Sequence, residues 1–231
     1  MSADSSNATV RRLLPLLGAT AALLAIASAP WALDRPWLNV VFKPLATLCV
    51  IAWSALGRSD DDLVKRWIVL GLVFSLAGDV ALLWPVQGFL VGLVAFLLGH
   101  VSYLVALTRR VRFLASPPAF GVWAIVAASV LAGLWAGVPA ELRAPVLVYV
   151  CALAAMAAQA TSVWLACRGA PGAGRWRTVA IGGALFVLSD AILARDKFVG
   201  GIPLPTLFNL SIYWLAQWFI ACAAVGARKT R

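Results

Sequence analysis

The stretch FLVGLVAFLLGHVSYLVALT, residues 89–108, contains no Asp, Glu, Lys or Arg. A helix that crosses the hydrocarbon core of a bilayer needs about 20 mostly apolar residues. We therefore predict that this stretch is a transmembrane helix. Similar apolar segments recur along the chain and give eight predicted spans in all, at residues 13–32, 38–56, 67–84, 89–108, 119–137, 145–167, 178–198 and 207–226.

The composition of the whole chain is typical of a membrane protein. Of its 231 residues, 63% are hydrophobic and 12% are charged, and the mean hydropathy is +0.93. A soluble domain is roughly 25% charged. The loops between spans are short and no segment remains for a soluble domain. We predict one all-α transmembrane domain over residues 1–231.

The basic residues indicate the orientation of the spans, because cytoplasmic loops of membrane proteins collect Lys and Arg. Eight spans with both termini in the cytoplasm place most of the 19 basic residues inside. The net charge of +10 therefore reports topology, and nucleic-acid binding is excluded as its explanation. The inside residues are Arg11, Arg12, Arg58, Lys65, Arg66, Arg109, Arg110, Arg112, Arg168, Arg175, Arg177, Arg228, Lys229 and Arg231.

The first span has one alternative interpretation. Arg11 and Arg12 precede an apolar run that ends in Ala27-Ser28-Ala29, a pattern typical of a cleaved signal peptide. The run is long for that purpose, and Pro30 directly after the site disfavours cleavage. We expect a retained first helix.

Metal and cofactor sites have little support in the sequence. The four cysteines lie in or beside apolar runs and form no CxxC pair, so we interpret them as small buried hydrophobic residues. The single histidine excludes any site with two His ligands. We expect no cofactor, and no protein partner is indicated.

Four ionisable side chains lie inside predicted spans: Lys43, Asp79, His100 and Asp190. Each charged group at that depth costs about 2.5–3.5 kcal/mol on insertion scales, so pairing, transport or catalysis is expected of it. At about 1.5 Å of rise per residue, Asp79 and Asp190 both lie roughly 18 Å from the inner edge of their spans. His100 falls near the same level, and Lys43 lies closer to the outer surface.

Polar and small residues share helix faces with these groups, at spacings of three and four. Ser75 accompanies Asp79, Tyr103 accompanies His100, and Ser189 precedes Asp190. The eighth span repeats Asn209, Tyr213 and Gln217 every four residues. Neighbouring glycines allow helices to approach closely, so these faces are expected to point into the bundle. The sequences around the two aspartates also resemble each other, consistent with a weak four-plus-four repeat.

Each polar residue also has a structural interpretation. A lone intramembrane aspartate can hydrogen-bond a neighbouring helix, a histidine can be packed in the core, and Lys43 can extend to the outer interface. Pro44 either aims Lys43 inward or delays the start of a regular helix. Two carboxylates at one depth favour chemistry instead, because in apolar surroundings one holds a proton while the other ionises. From the residues alone, the candidates are a lipid hydrolase and a proton-coupled transporter.

Five short motifs appear in order along the chain: Lys43-Pro44-Leu45, GLVFSLAGD at 71–79, FLLGHVSY at 96–103, FVLSD at 186–190 and YWLAQ at 213–217. Together they resemble the YhhN-like family of integral membrane proteins, which includes the lysoplasmalogenases. The resemblance covers spans two to eight except the fifth. It implies an eight-helix hydrolase that cleaves the vinyl ether bond of a lysophospholipid, releasing a fatty aldehyde and glycerophospho-ethanolamine or -choline.

The resemblance also implies roles for the polar residues. Asp79, Asp190 and His100 are the expected catalytic residues. We assign Asp190 as the acid that protonates the vinyl ether, Asp79 as the group that stabilises the cation and activates water, and His100 as a proton relay. The expected substrate-binding residues are Lys43, Tyr103, Tyr213, Ser75, Ser189, Gln217 and Asn209.

Two further alternatives remain open. Asp79, His100 and Asp190 could together hold a divalent metal ion, and the chain could be a scaffold that tolerates their substitution. The Ala- and Arg-rich composition favours a bacterial cell membrane as the location.

Overall fold

The computed structural model describes residues 2–226, which form eight α-helices. The C-terminal basic residues Arg228, Lys229 and Arg231 lie outside this range. The helices are α1 Ser2–Ala27, α2 Pro36–Leu56, α3 Asp62–Ala81, α4 Phe89–Thr108, α5 Pro117–Leu134, α6 Ala140–Ala166, α7 Ala173–Phe198 and α8 Pro205–Ala221. Short 3₁₀ turns, Trp135–Gly137 and Cys222–Ala224, extend α5 and α8.

Seven of the eight helices are long and apolar enough to cross a membrane. The exception is α3, whose 20 residues include four charged ones, Asp62, Lys65, Arg66 and Asp79. At about 1.5 Å of rise per residue, α3 still reaches about 30 Å, the thickness of the hydrocarbon core. It packs along α4 in the centre of the protein. The chain is thus an all-helical integral membrane protein.

The helices pack mainly as antiparallel neighbours in sequence. α1 lies against α2, α3 against α4 and α7 against α8, and α6 joins these pairs by contacting α4, α5 and α7. α8 also reaches α1, α2 and α3, so the interior is enclosed by α2, α3, α4, α6, α7 and α8. α5 lies at the edge, with only Ala119 and Leu134 buried among its residues.

Glycines allow α3 and α4 to approach closely, as the sequence predicts. A Cβ atom at Gly71 would overlap the ring of Tyr103, and one at Gly78 would lie 2.5 Å from the ring of Phe96. Real side-chain atoms do not approach so closely, so neither position has room for a larger residue. This contact holds Tyr103 and Phe96 against the α3 helix that carries Asp79.

Of the eight helices, α4 has the limits predicted for its span, and each of the others differs from its predicted span at one end or both. α1 ends at Ala27, five residues before the predicted limit of 13–32, and Pro30 follows in an irregular turn. α2 begins at Pro36 and continues through Pro44, so the proline does not delay the helix. Lys43 is buried and points into the bundle. The alternative in which Lys43 extends to the outer interface is therefore wrong.

The end of the bundle that carries the loop between α2 and α3 is closed by ion pairs. Asp60 accepts a hydrogen bond from Arg175 Nη2 at 2.8 Å and lies 3.1 Å from Arg110 Nη2. Arg175 also donates to the carbonyl of Val225 at 2.6 Å. We call Asp60, Arg110 and Arg175 the basic-end clamp. The hydrogen bond from Arg175, together with the charges of both arginines, holds the pKa of Asp60 below its usual range despite partial desolvation.

Candidate active site

Asp79 is buried at the centre of the helix bundle and accepts hydrogen bonds from two helices. Thr47 Oγ1 on α2 donates to Asp79 Oδ2 at 2.6 Å, and Tyr213 OH on α8 donates to the same oxygen at 2.8 Å. Lys43 Nζ lies 3.9 Å from Asp79 Oδ1. Trp214 Nε1 in turn donates to Thr47 Oγ1 at 3.2 Å. Burial opposes ionisation of Asp79, whereas the two donors and the cation each stabilise its charged form.

Four of the predicted substrate-binding residues continue this network away from Asp79. Gln217 Nε2 donates to Tyr213 OH at 3.0 Å, and Tyr103 OH donates to Gln217 Oε1 at 2.7 Å. Ser75 Oγ lies 3.3 Å from Tyr103 OH. All four side chains are buried. Direct contact of Ser75, Tyr103 and Gln217 with a substrate stays a prediction, while their hydrogen bonds orient Tyr213 toward Asp79.

Asp190 belongs to a second network, with His100 and Tyr149. Tyr149 OH on α6 donates a short hydrogen bond to Asp190 Oδ2. His100 Nε2 on α4 lies 3.0 Å from Tyr149 OH and 3.5 Å from Asp190 Oδ2. Three helices thus bring an imidazole, a phenol and a carboxyl group together. Tyr149 was not predicted as a site residue from the sequence, because none of the five quoted motifs lies in α6.

The hydrogen bonds of this second network indicate the tautomer of His100. Since Tyr149 gives its hydrogen to Asp190, its oxygen is free to accept one from His100 Nε2. His100 Nδ1 is buried and has no hydrogen-bond partner in the described structure. Because none of the described residues offers an acceptor at Nδ1, these contacts place the ring hydrogen at Nε2.

A group of aromatic rings separates the two aspartate networks. The ring of Phe186 lies 4.6 Å from that of His100 and 5.6 Å from that of Tyr213, and Phe96 lies 5.9 Å from Tyr213. Within residues 2–226, no hydrogen bond or ion pair joins Asp79 to Asp190. The aspartates lie in one interior region, but each has its own partners.

An apolar groove opens beside Asp190. It is formed by α4, α5, α6 and α7 together with Leu82. Its walls are almost entirely aliphatic and aromatic, and its polar groups come from Asp190 and Tyr149, with the indole of Trp123 farther along. The side chain of Asp190 is 13% exposed and that of Asp79 is 2% exposed. Of the two aspartates, Asp190 is thus the one that faces this groove.

A second cavity, which we call the outer vestibule, adjoins the groove at the opposite end from the basic-end clamp. Leu82, Phe89 and Leu193 line both the vestibule and the groove, so the two cavities are adjacent. The polar residues that line the vestibule are Asn39, Lys43, Asp196, Lys197, Thr206 and Asn209.

The remaining predicted binding residues, Ser189 and Asn209, join α7 to α8. Asn209 Nδ2 donates to the carbonyl of Ser189 at 2.8 Å, and Ser189 Oγ donates to the carbonyl of Asn209 at 3.2 Å. Asn209 also lines the outer vestibule, whereas Ser189 is buried beside it. Ser189 therefore holds the helix that carries Asp190, and Asn209 is available to a ligand.

The metal alternative lacks a cluster of ligands. In the part of the chain that the structure describes, no three His, Cys, Asp or Glu side chains are close enough together to hold a metal ion. His100 and Asp190 are neighbours, but the aromatic rings between the two networks separate them from Asp79. A site built from Asp79, His100 and Asp190 is not formed.

A comparison of the sequence with known protein families identifies the family of this eight-helix protein. The model of the YhhN family matches residues 38–224. The chain belongs to the YhhN family. The match begins at the second helix and includes all of the intramembrane ionisable residues described above. No solved structure matches the chain.

Relatives of this YhhN protein occur in mammals and bacteria. It is 30% identical over 203 residues to the protein named lysoplasmalogenase TMEM86A of Bos taurus, covering 84% of this chain and 80% of the relative. It is 31% identical over 202 residues to the human protein of that name, with the same coverage. It is 31% identical over 177 residues to a lysoplasmalogenase of Mycobacterium bovis, covering 71% of this chain and 61% of the relative.

Proposed function

We propose that this YhhN protein is a membrane hydrolase that cleaves the vinyl ether bond of a lysoplasmalogen. Relatives named lysoplasmalogenase, about 30% identical over most of the chain, support this activity. The observation that carries the proposal is the single carboxyl group, Asp190, at the wall of an apolar groove that adjoins a polar vestibule. We further propose the bacterial cell membrane as its location.

The lining of the groove suits the alkenyl chain of such a lipid, because its walls are almost entirely aliphatic and aromatic. With the chain in the groove and the headgroup in the vestibule, the vinyl ether lies between them. That is the level at which Leu82 and Leu193 line both cavities and Asp190 faces the groove.

Asp190 acts as the general acid in this proposal. It transfers a proton to the second carbon of the vinyl ether, and the electrons of the double bond form the new carbon–hydrogen bond. The first carbon becomes an oxocarbenium ion. Water adds to it and gives one proton to the Asp190 carboxylate, which restores the acid. The hemiacetal then collapses: its O–H proton moves to the glycerol oxygen as the carbon–oxygen bond breaks, which leaves a fatty aldehyde and the glycerol hydroxyl. Tyr149 orients Asp190 through its hydrogen bond, and His100 holds the Tyr149 hydroxyl in place.

Asp79 supplies the negative charge in this proposal. Thr47 and Tyr213 donate hydrogen bonds to Asp79 and Lys43 lies nearby, and these contacts stabilise its ionised form. An ionised carboxylate stabilises the positively charged intermediate. Because Asp79 lies behind the aromatic rings, its attraction acts across Phe96 and Tyr213. Activation of water by Asp79 additionally requires a water molecule on that side of the rings.

The proposal is tested by aldehyde release from purified protein. The protein, in detergent or nanodiscs, is incubated with alkenyl-glycerophosphoethanolamine and with the saturated alkyl analogue, and the products are measured by mass spectrometry. We expect aldehyde only from the vinyl ether. Asp190→Asn should lower kcat at least about 100-fold, because general acid catalysis contributes 10²–10⁴-fold.

Glu141→Gln is a suitable comparison, since it removes a carboxylate at the start of α6 that lines neither the groove nor the vestibule. Its kcat with the same substrate should stay within about twofold of the parent. An Asp190→Asn variant that folds and releases aldehyde at the parent rate would contradict the acid role. Substrate accumulation in proteoliposomes without any product would instead favour the transporter.

A further inference from the structure

The outer vestibule contains side chains of both charges, which a purely anionic ligand would not require. Lys43 and Lys197 are its cations and Asp196 is its anion. Lys43 is buried at the inner wall, and within residues 2–226 its ammonium donates no hydrogen bond, with Asp79 as its ion-pair partner at 3.9 Å. Its three donors therefore remain available to a ligand in the vestibule.

Lys197 is held at the mouth of the vestibule by two contacts. Its ammonium donates to the carbonyl of Pro85 at 3.1 Å and lies 4.9 Å from the centre of the Phe89 ring. Phe89 itself lines both the vestibule and the groove. The charge of Lys197 is thus fixed above the entrance to the apolar groove.

Asn39 provides an acceptor that the protein leaves unused. Its Oδ1 atom is buried and has no hydrogen-bond partner among the described residues. Asn39 precedes Lys43 by four residues in α2, so both side chains lie on the face of that helix that lines the vestibule. A buried acceptor without a donor is costly, and a ligand that carries N–H or O–H groups would satisfy it.

We propose that the outer vestibule binds the zwitterionic headgroup of a single-chain glycerophospholipid. Lys43 and Lys197 hold the phosphate, and Asp196 and the Oδ1 atom of Asn39 hold the ammonium group. This assignment rests on the proposed function and names the residues that select the substrate. The shared lining of vestibule and groove places this headgroup next to the chain whose vinyl ether faces Asp190.

The charges of the vestibule explain why an amine-bearing headgroup is favoured. A phosphate paired with an ammonium presents both signs, and each sign finds its opposite on the wall. A headgroup that ends in phosphate alone leaves Asp196 unpaired beside added negative charge, which is repulsive. Discrimination therefore comes from Asp196, whereas the lysines attract every phosphate-bearing lipid.

The test compares two lipids with the same alkenyl chain, one ending in phosphoethanolamine and one in phosphate. The ratio of their kcat/KM values is measured for the parent protein and for Asp196→Asn. We expect the parent to prefer the amine and the ratio to fall about fivefold in Asp196→Asn. Glu141→Gln, which removes an acidic residue at the same end of the bundle but outside the vestibule, should leave the ratio unchanged.

A third variant separates the two halves of the headgroup. Lys197→Met should lower kcat/KM for both phosphate-bearing lipids by a similar factor, so that the ratio of the two values stays within about twofold of the parent. Lys197→Arg should restore the parent values. If Asp196→Asn lowers kcat/KM equally for both lipids, or changes it for neither, Asp196 does not recognise the ammonium and the assignment is overturned.

A binding measurement keeps this assignment distinct from the proposed function. Saturated alkyl analogues of the two lipids lack the vinyl double bond, and their affinities are measured by displacement of a fluorescent lysolipid. We expect the same preference for the amine and the same loss in Asp196→Asn. If this loss occurs in a protein that releases no aldehyde from any vinyl ether, the headgroup site stands and the proposed hydrolase fails. Equal affinities of both analogues in all variants overturn the headgroup site, whatever the activity.

Discussion

Tyr149 connects the only histidine of the chain to the carboxyl group that faces the groove. Its hydroxyl donates to Asp190 and lies 3.0 Å from His100 Nε2, so in the proposed mechanism it orients the acid. The depths of Asp79, His100 and Asp190 could be predicted from the sequence, since spacing along a helix determines height in the membrane. Their neighbours could not, because the rotation of each helix about its axis depends on packing that no motif encodes.

Replacing Tyr149 with Phe tests this positioning role. The variant keeps the aromatic ring and removes only the hydroxyl, so Asp190 loses its donor and its connection to His100. We expect kcat for aldehyde release to fall about 10- to 100-fold with KM nearly unchanged, since the lipid still fits the groove. The dependence of kcat on pH should also change in shape, which a purely structural residue would not cause.

Ser162→Ala is the matched control for Tyr149→Phe. Ser162 is a buried hydroxyl on the same helix, and its hydrogen bond goes to the carbonyl of Ala158 within α6. Its loss should leave kcat and its pH profile within about twofold of the parent. Equal kinetic losses in both variants would show that Tyr149 contributes only to the stability of α6.

Thr47 is a second residue that the motifs missed, and it tests the charge of Asp79. Thr47→Val keeps the shape of the side chain and removes the 2.6 Å hydrogen bond to Asp79 Oδ2. Hydrogen bonds to charged groups contribute about 1.5–3 kcal/mol, so we expect a loss of that order in the free energy of unfolding, measured by thermal or denaturant unfolding. Ser54→Ala, which breaks only a bond to the carbonyl of Val50 in α2, should cost less than half as much.

At the scale of the helices, the close contact of α3 with α4 depends on glycine. A Cβ at Gly71 would overlap the Tyr103 ring and would lie 3.0 Å from the carbonyl of Gly99. We expect Gly71→Ala to lower the free energy of unfolding by about 1–3 kcal/mol through overpacking, and to lower activity by displacing Tyr103 from Gln217. Thermal unfolding in detergent measures the first effect and aldehyde release the second.

Gly121 offers the corresponding substitution where space is open. It lies in α5, and a Cβ there would have no atom within 4 Å. Gly121→Ala should therefore be neutral or slightly stabilising, since alanine favours the helix more than glycine does. Equal losses in Gly71→Ala and Gly121→Ala would contradict a specific contact between α3 and α4.

The helices themselves were largely predictable, and the exceptions have physical reasons. α4 was predicted with its observed limits, because an uninterrupted apolar run has few alternatives in a membrane. The predicted end of α1 was wrong, since hydropathy continues past Ala27 whereas the chain turns there, before Pro30. Lys43 was a harder case: its burial depends on Asp79, a partner in another helix that is distant in the sequence.

For the molecule as a whole, the two ends of the bundle have different tasks. One end carries the basic-end clamp and the loop between α2 and α3, and the other carries the outer vestibule. The positive-inside rule predicts that the clamp lies in the cytoplasm. In that orientation, a headgroup reaches the vestibule from the opposite surface of the membrane, while the clamp fixes the cytoplasmic ends of the helices.

The basic-end clamp should make stability depend on pH in one direction. Arg175 and Arg110 hold the pKa of Asp60 below its usual range. Their contribution is therefore complete above about pH 5 and is lost as pH falls through the lowered pKa. Because the side chain of Asp60 is 45% exposed, Asp60→Asn should lower the melting temperature by only a few degrees at pH 7 and low salt. The difference from the parent should shrink below about pH 4, whereas Asp62→Asn, at an exposed neighbour without an ion pair in the described structure, should change the melting temperature little at either pH.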